Sequence, residues 1–385
     1  MDFHKSRYFS INKRMLKCMG LWPYQSSLTK IVIHTCTTVI FIILFIPQIC
    51  CFSMHIGHNG DKTMQAAAVT IYIFVIFLKS IAVMMAENKT RKMYENIVDN
   101  WKLLKNEDEF NTMKEHSEFG KLLTIGYIAY MYSAGTFFVT VPFVPICIDY
   151  VFPTNSTRIR IFILDGEYGV DKFDNYGKIY IFESFTCIST TFIFCALDTT
   201  YSTCVQQCVG LMDVVKMRLK LATKRDRSNE DGNYHAMREC IILHKNALHF
   251  AKVLESSYST NFLIVMATNV LIVSVGSVVI IMNLNRPLEL IRFGLIYIGL
   301  FIHMFYLSWP GQRLVNIGNQ LYEDTYNNDW YQCSIETQKL LRFMMMRCKE
   351  PCHLTAGGLY VMNMANFGSL LKTSMSYITV FSSYR

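Results

Sequence analysis

Charged residues are scarce in this chain, and several motifs of soluble enzymes are missing from it. Only 17% of the 385 residues are charged, 52% are hydrophobic, and the mean hydropathy is +0.24. A soluble domain carries about 25% charged residues. The sequence also lacks a His-Glu-x-x-His motif, a phosphate-binding glycine loop and a Gly-x-Ser-x-Gly motif. These absences argue against a soluble enzyme, and we predict no catalytic residue and no cofactor.

The 13 cysteines do not form a metal-binding pattern. Two pairs, Cys204 with Cys208 and Cys348 with Cys352, have a spacing of four residues. Neither pair has the further His or Cys ligands that a zinc site needs. We interpret these cysteines as reduced packing residues and predict no metal site.

Long apolar runs dominate the chain, and each is close to the 20 or so residues that cross a bilayer as a helix. We therefore predict an all-α polytopic membrane protein with seven transmembrane helices. The predicted spans are Ile31–Met54, Ala66–Met85, Leu122–Ile146, Lys178–Tyr201, Asn261–Met282, Leu288–Leu307 and Ala356–Phe381.

The basic residues predict the orientation of these spans. Of the 37 Lys and Arg residues, 27 lie in the N-terminal segment and alternate loops, and 8 lie on the opposite side. The positive-inside rule then places the N-terminus in the cytoplasm and the C-terminus outside. This topology argues against a G-protein-coupled receptor, and the loop placement of the charge argues against a nucleic-acid partner. The sequon at Asn155 falls in the long outer loop and is a candidate glycosylation site.

The cytoplasmic segments contain further helical patterns. Apolar residues at helical spacing continue past span 4 through Val205, Val209, Met212 and Val215. We expect spans 4 and 5 to extend into the cytoplasm as a helical hairpin, the alternative being a solvated loop. The predicted organisation has five parts: 1–200 with spans 1 to 4, 201–260 with the hairpin, 261–309 with spans 5 and 6, 310–355 as a cytoplasmic anchor segment, and 356–385 with the last span.

The last predicted span carries a polar stripe. At 100° per residue, one face presents an asparagine, four small hydroxyl residues and a valine. They are Asn366, Ser369, Thr373, Ser376, Val380 and Ser383. Such a stripe either packs against another helix or faces water and ions. Its continuity across the span, and its outer end at Val380 and Tyr384, favour a pore, whereas Lys372 at its edge does not favour cation passage.

Two charged residues fall at similar depth in different spans. Lys79 lies in the inner half of span 2, and Asp198 lies in the inner half of span 4. Since a charge inside a bilayer generally needs a partner, we predict that Lys79 and Asp198 form an intramembrane pair. Glu183, in the outer part of span 4, faces either a pocket mouth or the long outer loop.

The C-terminal region resembles the insect odorant receptor family. The resemblance is strongest in "MMMRCKEPCHLTAGGLYVMNMANFGSLLKTSMSYITVF" and extends to "WPGQRLVNIGNQLYEDTYNNDWY". It implies an odorant-gated, non-selective cation channel in the plasma membrane of olfactory sensory neuron dendrites, working as a heterotetramer with a shared co-receptor. It also implies that the last helix lines the pore, with Val380 and Tyr384 at the gate and Ser383 facing the conduction path.

The same resemblance implies a pocket for a small, volatile, apolar ligand among spans 2, 3, 4 and 6. On those spans the candidate residues are Val69, Tyr72, Ile73, Tyr130, Ser133, Phe137, Phe185, Ser189, Tyr297 and Phe301. Three alternatives remain at this stage. They are a gustatory-type channel of the same superfamily, a transporter, and a receptor that signals through a soluble partner.

Overall fold

The computed structural model describes residues 7–58, 60–152, 160–164, 166–224, 230–282, 284 and 287–383. Helices make up almost all of this part of the chain. Their bounds are α1 Ser10–Cys18, α2 Ser27–His55, α3 Gly60–Met85, α4 Glu87–Lys102, α5 Glu107–Thr140, α6 Phe143–Val151, α7 Tyr176–Thr223, α8 Glu230–Met282, α9 Pro287–Tyr326, α10 Ile335–Cys348 and α11 Met364–Ser383. A short 3₁₀ turn covers Trp330–Gln332, and a two-stranded hairpin joins Thr355–Ala356 to Tyr360–Val361.

Six of these helices are long and apolar enough to cross a membrane: α2, α3, α5, α7, α8 and α9. They contain predicted spans 1, 2, 4, 5 and 6 in full and most of span 3. Helix α11 has 20 residues and covers the seventh span from Met364 onwards, with polar side chains along it. The all-α architecture predicted from the apolar runs is therefore the observed one.

Helices α7 and α8 do not stop at the ends of their predicted spans. Helix α7 runs for 48 residues and α8 for 53, so each continues well past the membrane-crossing stretch. The apolar residues that predicted this extension, Val205, Val209, Met212 and Val215, are all buried. Within 201–260 the two helices continue without a break and pack against each other and against neighbouring helices through their apolar faces.

Two predicted spans are wrong at one end. Helix α5 ends at Thr140, and after a break at Pro142 a separate helix α6 begins, so span 3 is not one helix to Ile146. A proline lacks the N–H that would continue the helical hydrogen bonds. The last helix begins at Met364 rather than Ala356, because Gly357 and Gly358 take positive φ angles of 61° and 73° in the turn of the hairpin.

The N-terminal segment packs against the inner part of the bundle. Phe9, Trp22 and Tyr94 of α4 form a ring cluster with centroids 5.2 to 6.1 Å apart. From α1, the Asn12 side chain donates a hydrogen bond of 2.9 Å to Thr199 of α7, and both residues are fully buried. The segment before the first span is thus an integral part of the folded bundle.

Candidate functional site

A buried ion pair lies at the centre of the bundle. The Lys79 ammonium of α3 lies 2.5 Å from Asp198 Oδ1 of α7, and the two residues are 1% and 3% exposed. These are the two residues that the sequence pairs. Since an unpaired charge at this depth would be strongly destabilising, the pair fixes α3 against α7.

Two more helices bind the same carboxylate. Tyr127 of α5 donates its hydroxyl to Asp198 Oδ2 at 3.2 Å, and His303 Nε2 of α9 lies 3.0 Å from the same oxygen. The ammonium of Lys79 also lies 4.4 Å from the ring centroid of Phe194, one turn before Asp198. Asp198 of α7 therefore connects its own helix to α3, α5 and α9 through one carboxylate, which has three polar partners in the structure.

The sequence did not predict His303 and Tyr127 as partners of Asp198. Both are amphipathic residues within long apolar helices, where a ring most often packs without forming a specific polar contact. Their depth in the membrane is the signal that could have identified them. In the predicted topology, both fall in the inner halves of their spans, the depth at which Lys79 and Asp198 lie. A buried carboxylate with several acceptor sites needs more than one donor.

Aromatic contacts connect this network to one residue predicted for the ligand pocket. Tyr72 of α3 stacks on Phe194 of α7 with a centroid distance of 5.9 Å. The Phe194 ring in turn meets the His303 ring edge-on at 5.4 Å. Below them, Tyr127 and Tyr306 stack at 3.8 Å. The Phe194 ring is thus the single side chain between Tyr72 and His303.

The structure separates the ten predicted pocket residues into two groups. Seven are buried or half-buried between the helices: Val69, Tyr72, Ile73, Tyr130, Ser189, Tyr297 and Phe301. The remaining three lie on the outer surface of the single chain: Ser133, Phe137 and Phe185. Within the first group, Tyr297 and Phe301 of α9 pack edge-on at 4.9 Å, and the Tyr297 hydroxyl lies 3.0 Å from Ser277 of α8.

The three exposed residues do not lie in an enclosed pocket of the single chain. Phe137 is 45% exposed and Phe185 is 55% exposed, and Ser133 lies in the same exposed stretch of α5. Helical spacing groups residues on one face, but it does not tell which neighbour that face meets. For α5 and for the outer part of α7, this face points away from the bundle.

The hydroxyl stripe of α11 also points away from its own chain. Ser369, Thr373 and Ser376 are exposed, and Val380 is 50% exposed. The Ser369 and Thr373 hydroxyls donate to backbone carbonyls one turn earlier, at 3.2 and 3.0 Å. Of Ser383 only the backbone in α11 is described, and Tyr384 lies outside the described residues. These stripe residues are thus not used for packing within this subunit, whereas Asn366 at the start of the stripe is half-buried and donates to the Val361 carbonyl at 2.9 Å.

The opposite face of α11 packs on α9. Phe367 is buried, and its ring meets that of Phe305 edge-on at 5.9 Å. Phe305 lies two residues after His303 on α9. Helix α9 therefore contacts both the buried network and the last helix.

The hairpin before α11 is held tightly by α8 and α9. The Gly357 amide donates to the carbonyl and hydroxyl of Ser259, at 3.1 and 3.0 Å. The Thr355 hydroxyl donates to Glu255 at 2.7 Å. On the other side, a Cβ at Gly311 would lie 2.1 Å from the carbonyl oxygen of Met362, a distance that no side chain tolerates. Only glycine allows this approach between α9 and the hairpin.

Glu183 holds the outer loop on top of the bundle. Its carboxylate accepts hydrogen bonds from the amides of Ile163 and Leu164, at 2.8 and 3.2 Å, and from the Tyr168 hydroxyl at 2.8 Å. Of the two positions that the sequence left open for Glu183, the structure shows the loop. The glycosylation candidate Asn155, in the same loop, lies outside the described residues.

No group of three or more His, Cys, Asp and Glu side chains that could hold a metal ion occurs in the described part of the chain. Three of the four cysteines in the spaced pairs, Cys204, Cys208 and Cys348, are buried, and Cys352 is half-buried. They are free thiols, consistent with packing residues. The candidate functional cluster is therefore the polar network around Asp198, which connects α3, α5, α7 and α9.

These features define a polytopic helical membrane protein with an intramembrane polar network and an outward-facing polar last helix. Comparison with known proteins gives the family. The family model described as 7tm Odorant receptor matches residues 59–375, and the chain belongs to this family. This match supports the odorant branch over the gustatory alternative.

Curated relatives and solved structures agree with the family match. The chain is 20% identical to Odorant receptor Or2 of Anopheles gambiae over 81% of this chain and 82% of that one. It is 21% identical to Odorant receptor 10 of Aedes albopictus over 96% of both chains. The fold is similar to that of the insect olfactory receptor OR5 from Machilis hrabei in complex with eugenol, with a TM-score of 0.81, 14% identity and 99% coverage of both chains.

Proposed function

We propose that this chain is a subunit of an odorant-gated, non-selective cation channel in the plasma membrane. In this proposal its N-terminus lies in the cytoplasm and it assembles with a shared co-receptor as a heterotetramer. Family membership and the excess of basic residues on one side support the assignment and the orientation. The five predicted parts of the chain remain our proposal for its organisation, with the last span beginning at Met364.

The observation that carries the proposal is a set of ring contacts that links the bundle to the last helix through α9. Tyr72 contacts Phe194, which contacts His303 on α9, and Phe305 on the same helix contacts Phe367 of α11. A ligand that displaces Tyr72 would shift α9 and, through it, α11. This path is the physical link that ligand gating requires.

The exposed stripe of α11 supports a pore between subunits. One chain cannot enclose a channel with a single helix, so a face of hydroxyl groups is useful only where copies meet around an axis. Ser369, Thr373 and Ser376 would then line a wetted path, and Val380 would form a hydrophobic constriction that closes it by excluding water. Ser383 and Tyr384 complete the proposed gate.

A second exposed surface supports assembly in the cytoplasm. Helix α10 buries Leu341 and Met344 against its own chain, yet Phe343 and Met346 are 70% and 66% exposed on its other side. Large apolar side chains on an exposed helix face indicate a protein partner. We assign this face to the contact with the neighbouring subunits of the heterotetramer.

The buried and half-buried aromatic residues of α3, α5 and α9 support a pocket for a small, mostly apolar odorant. Such a site needs apolar walls and few polar groups. The rings of Tyr72, Tyr130, Tyr297 and Phe301 provide the apolar walls, and the three tyrosine hydroxyls provide the polar groups. The structure of Machilis hrabei OR5 contains eugenol, a ligand of that chemical kind. We therefore propose the seven buried or half-buried residues as the pocket wall.

Cysteine substitution along α11 tests the pore. In the full channel complex, Ser369→Cys, Thr373→Cys and Ser376→Cys should react with a membrane-impermeant thiol reagent, and reaction should reduce the odorant-evoked current. Ser374→Cys is the matched control, because Ser374 is only 2% exposed and lies on the packed face. Reaction at Ser374→Cys with no reaction at the other three positions would contradict the proposal, because the opposite face of α11 would then be the one in contact with water.

Excised membrane patches separate the channel from the two other mechanisms. A cation current that starts within milliseconds of odorant addition, without nucleotide, is expected for a channel. A requirement for GTP would favour a receptor that signals through a soluble partner. Flux that saturates at a low rate and has no unitary current steps would favour a transporter.

A further inference from the structure

A narrow groove lies on the flank of the bundle, away from the proposed odorant pocket. It runs between the N-terminal segment, α2 and α3. The lining residues are Met19, Leu21, Thr37, Thr38, Phe41, Phe77, Ser80, Ile81 and Met84. Six are apolar and three are hydroxyl residues, so the surface suits a hydrocarbon chain.

The groove lies where membrane lipid can reach it. The neighbouring face of α2 is rich in exposed aliphatic residues, including Val39, Ile42, Ile43 and Ile46. In a membrane protein, an exposed aliphatic helix face of this kind suits contact with lipid tails. Thr37, Thr38, Ile81 and Met84 are half-buried, which leaves the groove open towards the same side.

The depth of the groove identifies the leaflet. Met19 and Leu21 lie in the turn just after α1, and Gly20 between them approaches Ile33 and His34 in the first turns of α2. One end of the groove is therefore at the N-terminal, inner side of α2. The other end reaches Phe77 and Ser80, within the inner half of α3.

Two exposed basic residues shortly precede the groove wall in the chain. Arg14 and Lys17 of α1 are exposed, and Lys17 is two residues before Met19 in the groove wall. Helix α1 contains no acidic residue. The nearby carboxylate of Glu87 is already paired with Lys30 at 2.5 Å. The local excess of positive charge would attract an anionic headgroup.

We propose that this groove is a binding site for an anionic phospholipid of the cytoplasmic leaflet. One acyl chain lies between α2 and α3, and the headgroup meets Arg14 and Lys17. The leaflet follows from the cytoplasmic N-terminus of the proposed function. Because Ser80 directly follows Lys79, the bound chain packs against the turn of α3 that carries the buried ion pair.

Photolabelling of the complete channel complex tests the site. The complex is placed in phosphatidylcholine nanodiscs that contain a small fraction of phosphatidylserine with a diazirine at the end of one acyl chain. Label is expected on peptides that contain Phe41, Phe77 or Ile81. A phosphatidylcholine probe with the same chain should label these peptides less.

Two variants separate the chain site from the headgroup site. Ile81→Trp fills the groove and should reduce labelling about fivefold, which is about 1 kcal/mol. Ile43→Trp, on the exposed face of α2, is the matched control and should leave the label unchanged. Arg14→Gln with Lys17→Gln should lower the preference for phosphatidylserine about fivefold for each charge removed.

The proposal is overturned if label spreads evenly along the exposed face of α2 and does not change in the Ile81→Trp variant. It is also overturned if the preference for phosphatidylserine survives the loss of both basic residues. Should Ile81→Trp fail to assemble, Thr38→Phe narrows the same groove from the other wall and gives the same two outcomes. Labelling needs neither odorant nor current, so its failure is distinguishable from a failure of the channel proposal.

Discussion

Replacing Asp198 should be far more damaging than replacing Lys79, although the two residues form one ion pair. Asp198→Asn removes the anion and leaves the Lys79 ammonium buried without a counter-charge. Lys79→Met leaves the carboxylate with two remaining partners, Tyr127 and His303, at 3.2 and 3.0 Å. The network therefore tolerates the loss of the cation better than the loss of the anion.

The expected magnitudes follow from burial. Breaking a buried pair from one side costs about 3–5 kcal/mol, and we assign that range to Asp198→Asn. For Lys79→Met the loss is about 2 kcal/mol, since a hydrogen bond to a charged group contributes about 1.5–3 kcal/mol. In the double variant no charge remains unpaired, so its destabilisation should fall below the sum of the single losses by at least about 2 kcal/mol.

The measurement is the thermal stability of the detergent-solubilised complex together with the amount of channel at the cell surface, for both single variants and the double variant. Lys372→Met is the control, because this lysine also lies on a membrane helix but is exposed. Strictly additive losses, or equal losses for the two single variants, would refute the idea that Asp198 is the shared partner of residues from three other helices.

Three further outcomes are expected. Gly311→Ala should abolish assembly or gating because its Cβ would lie 2.1 Å from a hairpin carbonyl, whereas Gly368→Ala, with no atom within 4 Å, should behave as wild type in surface expression and current. Glu183→Gln should speed hydrogen exchange at residues 163 and 164, since the amide oxygen that replaces the carboxylate is a weaker acceptor; unchanged exchange would contradict the role of the carboxylate. Burial, together with the charge of Arg347, lowers the pKa of His244, in the part of α8 that precedes its predicted span, to about 4. Because the unfolded chain then binds more protons, stability should be lost as pH falls from about 6.5 towards 4, by up to about 1.4 kcal/mol per unit. His244→Asn should flatten that part of a thermal-stability profile between pH 7 and pH 5, and an unaltered slope would count against it.

The sequence could predict the contact between Lys79 and Asp198 because charges are rare inside apolar runs and each needs a partner. The contacts of His303 and Tyr127 with Asp198 could not be predicted in the same way, since the rings of these residues can also pack against apolar side chains without a polar partner. Their role depends on which helices are neighbours, and neighbour relations are set by packing across the whole bundle.

Helix ends show the same limit. Seven apolar runs were sufficient to predict seven membrane helices, because the bilayer sets their length. The start of α11 at Met364 depends instead on two glycines in a turn and on the close approach of Gly311 from another helix. The exposure of Phe137 and Phe185 in the single chain could not be predicted for a related reason. Periodicity places residues on one face of a helix, and only the tertiary structure shows what that face contacts.

Helix α7 is held at Asp198, close to the middle of its 48 residues. At 1.5 Å per residue, about 33 Å of helix lies on the outer side of this point and about 38 Å on the inner side. If α7 tilted as a rigid helix about this point, a movement of one end by a few ångströms would move the other end by nearly the same distance in the opposite direction. Under the proposed topology, a displacement at the outer surface would then be matched by one of similar size on the cytoplasmic side.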